Sequence, residues 1–386
     1  MRSFDFVHSP RIVFGSGSSA RVGELATAEN DTKALLVSDS GVLAAGHTDA
    51  VASVLRDHGI AVALFTDVHE NPTHHDVEAC VDVARRHAPD LVVGLGGGSA
   101  LDVAKACTMV YAEGSAVMRH PGTTRATKPH RPMIAIPTTA GTGSECQPHA
   151  VISDAETGAK TAFATSESLP RTVILDPLLT VTQPRRVTVN SGLDAIVHAV
   201  EVSVATARNP LSTLLAAEAF VLLHQNLPTV LASPDDVDAR GAMQLGAAWA
   251  GLAIAHSMLG AAHAAGNPLT ARYHITHGAA VASMLPAVIR FNAHDDDARA
   301  GYAHLAARAG LADPGEPEDA GVQALLARLE SLWSLSGNPM NLTAYGVRAD
   351  DIEDLAAAAA TQWTGTFNPR PVDAAAFRDL YLAVMA

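Results

Sequence analysis

Asp90–Ala106 reads DLVVGLGGGSALDVAKA: an apolar, β-branched run, a string of glycines, then residues with helical spacing. Strand, glycine turn and helix in that order form the unit from which parallel α/β sheets are built. The glycines let a ligand approach the backbone, and the first helical turn offers unpaired N–H groups to a pyrophosphate. The pattern departs from GxGxxG: Gly94 and Gly96 fit, and Ser99 stands where the third glycine belongs. A tight strand-to-helix turn without a ligand is the plain alternative.

Working outward, short apolar runs at Ala34–Ser38, Val62–Thr66, Leu91–Leu95, Met133–Ile136 and Thr172–Leu175 predict strands, and the N-terminal PRIVFG predicts another that can pair across a subunit interface. Amphipathic Asp49–His58 and Thr73–Ala88 predict helices between them, so the first half is expected to be a parallel sheet covered on both faces. After the MIAI run comes Pro137–Glu145, PTTAGTGSE, with the hydroxyls of Thr138, Thr139, Thr142 and Ser144. Two such turns at the C-terminal ends of neighbouring strands can enclose a dinucleotide. A hydroxyl-rich loop capping a helix is the alternative. Asp39, closing ALLVSD, is placed either to bind ribose hydroxyls and repel a 2′-phosphate or to cap a helix.

From about Val187 the texture changes to long Ala/Leu-rich segments: Val189–Ala205, Leu211–Leu231, Asp238–Leu259 and His277–Asn292. Their periodicity predicts an all-helical half. Asp176–Arg186, with two prolines, reads as the hinge, dividing the chain into 1–183 (α/β) and 184–386 (helical). Within the second half lie SGLDAIVHAVE (Ser191–Glu201) and LGAAHAAGNPLTARYHITHG (Leu259–Gly278). Asp194 and His198, four apart, share one helix face. His263 and His277, fourteen apart, can leave one helix and return on the next. One carboxylate and three imidazoles suit Fe(II), Zn(II), Co(II), Ni(II) or Mn(II), and with a position left open such an ion acts as a Lewis acid on an alcohol or carbonyl oxygen.

A net charge of −14 over 386 residues argues against nucleic acid or an anionic membrane as partner. The three cysteines, Cys80, Cys107 and Cys146, are widely spaced and suggest neither a disulfide framework nor a CxxC site. The N-terminus lacks a long apolar h-region, and no apolar run reaches membrane-span length, so a soluble cytoplasmic protein is expected.

Seven motifs in order resemble the iron-dependent (group III) alcohol dehydrogenase family of the dehydroquinate synthase-like superfamily. They are RIVFGSG near the start, NPT at Asn71–Thr73, GGGSALDVAK, IPTTAGTGSE, ILDPLLT, GLDAIVHAVE and HGAAVASMLP, spread over nearly the whole chain. The resemblance implies an N-terminal Rossmann-like α/β dinucleotide-binding domain and an all-α C-terminal metal-binding domain, with the active site in the cleft between them. It implies hydride transfer between a nicotinamide and a small alcohol or aldehyde, and a homodimer or larger homo-oligomer. The family's metal ligands match Asp194, His198, His263 and His277. Its pyrophosphate turn matches Gly97, Gly98 and Ser99, followed by Asp102. Asp39 and Asn71 match positions near the adenosine half, and an acid at Asp39 implies NAD(H) over NADP(H). Thr138, Thr139 and Thr142 match the second cofactor loop, and Lys160 and Leu179 resemble further cofactor contacts.

Three departures follow. Asn267 replaces a histidine many members carry four residues after the third ligand, and an amide cannot relay a proton at neutral pH. His149 occupies a loop position near the nicotinamide side, and His256 stands where a small or amide residue is common. With His274 and Arg272 nearby, these side chains hint at a polar or anionic aldehyde such as phosphonoacetaldehyde. The alternatives are a metal-free enzyme like the maleylacetate reductases, a hydroxyacid–oxoacid transhydrogenase, a lyase like dehydroquinate synthase, and a non-catalytic metal-binding protein.

Overall fold

The computed structural model describes Phe4 and residues 10–119, 122–158, 160–339 and 341–385. The extreme N-terminus, which lacks the apolar h-region, lies largely outside these residues. Contacts divide the chain into two compact units, Val7–Gln183 and, with the first six residues, Pro184–Ala386.

In the first unit the described elements are β1 (Arg11–Phe14), α1 (Val22–Thr27), β2 (Lys33–Val37), α2 (Ser40–Ala44), α3 (His47–Asp57), β3 (Ala61–Phe65), α4 (His74–His87), β4 (Leu91–Gly96), α5 (Gly98–Glu113), β5 (Gly122–Thr123), β6 (Met133–Pro137), β7 (Ala150–Ser153), β8 (Lys160–Ala164) and β9 (Thr172–Leu175). Six strands form one parallel sheet in the order β1-β9-β6-β4-β2-β3. Strands β4, β6 and β9 are buried throughout, whereas the edge strands β1 and β3 are partly exposed. That is why the central strands read as continuous apolar runs rather than alternating ones. The side chains of Leu36, Val93, Leu95, Ile134, Ile136 and Ile174 lie in the core against α1, α2 and α3.

Strand order reverses between β2 and β4: β2 leads outward to β3, and β4 leads the other way to β6. Open α/β sheets bind ligands at such a switch point, beyond the carboxyl ends of the strands. Asp39 follows β2 there, and Gly97 follows β4.

A second sheet, β5-β8-β7, was not anticipated. Strands β7 and β8 form an antiparallel hairpin whose turn is built by Asp154, which accepts from the N–H groups of Glu156 and Thr157. Both strands are too short for periodicity to reveal them.

The second unit contains α6 (Arg185–Val204), α7 (Pro210–Ala232), α8 (Val237–Ala255), α9 (Ala261–Tyr273), α10 (His277–Asn292), α11 (Asp296–Arg308), α12 (Glu318–Ser336), α13 (Ile352–Ala360) and α14 (Ala374–Leu382). Helix α6 is buried on almost every side from Thr188 to Val204, and α7, α8, α10 and α11 pack around it. A helix buried on every side is a core helix, and the polar side chains that α6 carries inward, Asp194, His198 and Glu201, are therefore buried with it. Contrary to the expectation from apolar run length, α7 is long and apolar enough to cross a membrane by length and composition. It packs on α6 and α8, where a core helix and a membrane span share the same composition. Helix α8 ends at Ala255, earlier than the pattern predicts, with His256 as its cap.

Candidate functional site

The four predicted metal ligands come together in the helical unit. Asp194 and His198 lie one turn apart on α6, His263 comes from α9, and His277 is the first residue of α10. Asp194 Oδ1 lies 3.4 Å from His198 Nε2, 3.5 Å from His263 Nε2 and 3.8 Å from His277 Nε2. The rings of His198 and His263 stack at 4.8 Å, and that of His277 tilts against His263 at 5.4 Å. Helix α10 can approach only because Gly278 has no side chain: a Cβ there would lie 1.8 Å from the carbonyl oxygen of Asn190, one turn before Asp194.

The donor set fits a divalent ion. Ligand atoms about 2.1 Å from one tetrahedral centre stand about 3.4 Å from each other, close to the spacings around Asp194 Oδ1. Asp194 Oδ1 and His263 Nε2 are buried without a hydrogen-bond partner, a costly state that coordination relieves. Burial alone would raise the Asp194 carboxyl, but His198, His263 and His277 hold it well below the usual carboxylate range. Burial would likewise lower His263, yet Glu201 and Asp194 raise it to about 9. The pocket demands positive charge. Three of the side chains are about 95% buried, whereas that of His277 is 31% exposed, so the quartet opens on the His277 side.

Glu201 was not singled out from the sequence. Its Oε2 accepts from His263 Nδ1 at 2.5 Å, and its Oε1 accepts from the N–H of Ala262 at 2.6 Å. A carboxylate that takes one ring proton fixes the tautomer and leaves Nε2 free to coordinate. The signal was available: Asp194, His198 and Glu201 fall at i, i+4 and i+7 on α6.

The cofactor candidates gather in the α/β unit. Gly97 and Gly98 open α5, and the threonine loop lies against them. A Cβ on Gly98 would meet Thr142 at 2.7 Å, and one on Gly97 would meet Thr139 at 3.2 Å. The Thr138 N–H donates to the Gly96 carbonyl, joining the ends of β4 and β6. Asp39 caps α2, its Oδ1 accepting from the N–H groups of Gly41 and Val42. Its Oδ2 faces the glycine turn, 3.1 Å from where a Gly96 Cβ would be. Lys160 Nζ donates to Asn71 Oδ1 at 2.8 Å, and Leu179 is buried in the core that includes Val42. Asp102 is committed to the protein: Oδ1 accepts from Ser144 Oγ and Oδ2 from the Val151 N–H.

The remaining polar candidates are quieter. Burial, then Lys105, lowers His149 to about 4, and burial also lowers His256. His274 is the left-handed cap of α9. Arg272 is exposed and ion-paired with Asp351 and Asp354. Asn267 Nδ2 donates to Gln362 Oε1 at 3.0 Å.

A glycine turn at a sheet switch point and a buried Asp/His quartet are parts that a metal- and nicotinamide-linked oxidoreductase would need. Family models agree: residues 9–177 match the iron-containing alcohol dehydrogenase model, and residues 188–385 match the C-terminal model of the Fe-containing alcohol dehydrogenase family. The chain is 33% identical to an NAD-dependent methanol dehydrogenase of Bacillus methanolicus, over 95% of this chain and 96% of that protein. Its fold superposes on a crystal structure of a 1,3-propanediol oxidoreductase with a TM-score of 0.95, at 31% identity and full coverage of both chains. It superposes on sulfoacetaldehyde reductase from Bifidobacterium kashiwanohense, solved with NAD+, with a TM-score of 0.90, at 26% identity and full coverage of both. The chain belongs to the iron-containing alcohol dehydrogenase family, oxidoreductases that act on CH–OH groups.

Proposed function

We propose that this protein is a metal-dependent, NAD(H)-linked alcohol dehydrogenase, working in either direction on a small alcohol or aldehyde. The carrying observation is the buried quartet around Asp194 Oδ1 with Glu201 behind it. When bound, a divalent ion supplies Lewis acidity toward the substrate oxygen and the nicotinamide supplies or accepts the hydride.

The residues divide the remaining work. Asp194, His198, His263 and His277 hold the ion, and Glu201 keeps the His263 ring in its coordinating tautomer. The α5 N-terminus at Gly97, Gly98 and Ser99 receives the pyrophosphate, with Thr138, Thr139 and Thr142 as hydroxyl contacts. Asn71 and Lys160 serve the adenosine side, and Leu179 is an apolar contact. Asp39 binds the ribose hydroxyls through the oxygen not used in capping, which favours NAD over NADP. Asn267 holds Gln362 in place and carries no proton, so protons pass by water or the substrate's own hydroxyl.

The substrate reading favours a neutral small alcohol over phosphonoacetaldehyde. Burial favours neutral His149 and His256, and Arg272 is matched by two aspartates. The likeness to a sulfoacetaldehyde reductase keeps an anionic aldehyde in the test. The test assays protein of measured metal content against neutral, carboxylated, sulfonated and phosphonylated aldehydes with NADH and NADPH. Turnover undiminished after complete metal removal defeats the metal-dependent reading. Exclusive use of anionic aldehydes defeats the substrate reading. For the cofactor, Asp39→Ala is expected to shift preference toward NADPH by at least about tenfold, since a like charge beside the 2′-phosphate costs several kcal/mol.

A further inference from the structure

Lys105 lies in the middle of α5, two turns beyond the pyrophosphate turn, with its side chain fully buried. A buried ammonium persists only where its three donors are met. Here Nζ donates to the carbonyl of Ser144 at 3.0 Å, to that of Gln147 at 3.3 Å and to that of His149, and it pairs with Asp102 Oδ1 at 3.1 Å. Three carbonyls of one loop are thus turned inward onto a single cation. Asp102, one turn earlier, holds the same loop through Ser144 Oγ at 2.6 Å and the Val151 N–H at 2.9 Å. The other arm of the loop presses Thr139 and Thr142 onto Gly97 and Gly98 at the start of the same helix.

We propose that Lys105 is a positioning residue for the dinucleotide: its ammonium gathers loop 144–149 and so holds Thr138, Thr139 and Thr142 in register with the Gly97–Ser99 turn. The assignment rests on the proposed cofactor reading of those turns. One helix then organises both halves of the nucleotide site, its N-terminus directly and the threonine loop through Lys105. Arginine keeps the charge but is too broad to place one nitrogen among three carbonyls, and methionine keeps the length without any donor.

The test compares the full-length, metal-loaded protein with Lys105→Met, Lys105→Gln and Lys105→Arg. NADH affinity is read by nucleotide fluorescence, and KM and kcat are measured for NAD and for alcohol. In Lys105→Met the Kd for NADH is expected to rise at least about tenfold, while kcat at saturating NAD and bound metal stay within about twofold. Lys105→Gln, whose neutral amide offers two N–H donors in place of three and no charge, is expected to fall between Lys105→Met and wild type. Amide exchange should quicken across residues 144–149. Unchanged Kd in soluble Lys105→Met or Lys105→Gln overturns the proposal. So does an equal fall of kcat and nucleotide affinity in all three variants, which a merely structural role predicts. Should Lys105→Met not fold, the Gln and Arg variants decide by the same split. A wild-type protein that binds no nicotinamide nucleotide defeats the cofactor reading itself, and this inference with it.

Discussion

Among the described residues, two clusters of three histidine and carboxylate groups have donor atoms within 4.8 Å of each other, and only one has the burial and supporting hydrogen bonds that a metal site needs. Asp194, His263 and His277, with His198 beside them, sit in the core of the helical unit. His74, His75 and Glu156 sit on the α/β unit, with His75 and Glu156 more than 60% exposed. In the first cluster Glu201 takes the Nδ1 proton of His263 and leaves Nε2 to coordinate. In the second the Ala155 N–H donates to His74 Nδ1, which puts that ring's proton on Nε2, the atom facing Glu156. The donor types match, but the tautomers are opposite. Burial and the hydrogen bonds behind the ring, rather than composition, separate a site from a coincidence.

The largest effect expected from this contrast is in Asp194→Ala, which should lose stoichiometric metal and roughly 10³-fold or more in kcat/KM, the loss of several kcal/mol of electrophilic stabilisation. Glu156→Ala should leave both within about twofold, as removal of a surface pair does. Metal analysis and steady-state assay check both, and equal metal loss in the two variants would break the comparison. Next in size is Glu201→Gln, which keeps the shape but weakens the acceptor for His263. A chelator competition should show metal affinity down by about 10–100-fold. Unchanged affinity would mean that His263 is oriented by packing alone.

Much of this was legible. The five internal apolar runs of the first half became β2, β3, β4, β6 and β9, because buried parallel strands carry their signal in composition. His277–Asn292 became α10 with the same bounds. The pairing of Asp194 with His198 was legible because i, i+4 spacing maps directly onto a helix face, whereas His263 and His277, on two other helices, were matched through the family resemblance. Three things were not. The β7–β8 hairpin is too short for its alternation to stand out. The commitment of Asp102 to Ser144 and Val151 joins residues more than forty positions apart, and no local pattern encodes it. Arg272 looked available for an anion until Asp351 and Asp354, some eighty residues on, proved to neutralise it.

A third buried carboxylate sharpens the contrast by removing the imidazoles. Glu145 is almost wholly buried at the root of the threonine loop, near Lys105, Asp102 and Cys146. Burial, only partly offset by a hydrogen bond from its own backbone and by Lys105 and reinforced by Asp102, pushes it up to about 7. Asp194, equally buried, is driven the opposite way by its histidines. Between its unfolded value of 4.5 and about 7 the folded protein therefore binds the extra proton at Glu145. The stability this contributes is full below pH 4.5 and is lost as pH rises through 7. His149 slopes the other way: lowered to about 4, it adds stability as pH climbs toward its ordinary value of 6.5. The two oppose each other in one loop, so the wild-type curve alone does not resolve them, but the difference from Glu145→Gln does. The amide fills the same space and does not titrate. Its melting temperature relative to wild type should rise between pH 4.5 and 7.5 by several °C, since a carboxyl moved from 4.5 to about 7 is linked to roughly 3 kcal/mol and each kcal/mol gives about 2–4 °C in a domain of this size. Scanning calorimetry at half-unit intervals reads it. A flat difference would place the Glu145 proton at an ordinary carboxylate pKa, and burial would then not be what sets the two carboxylates apart.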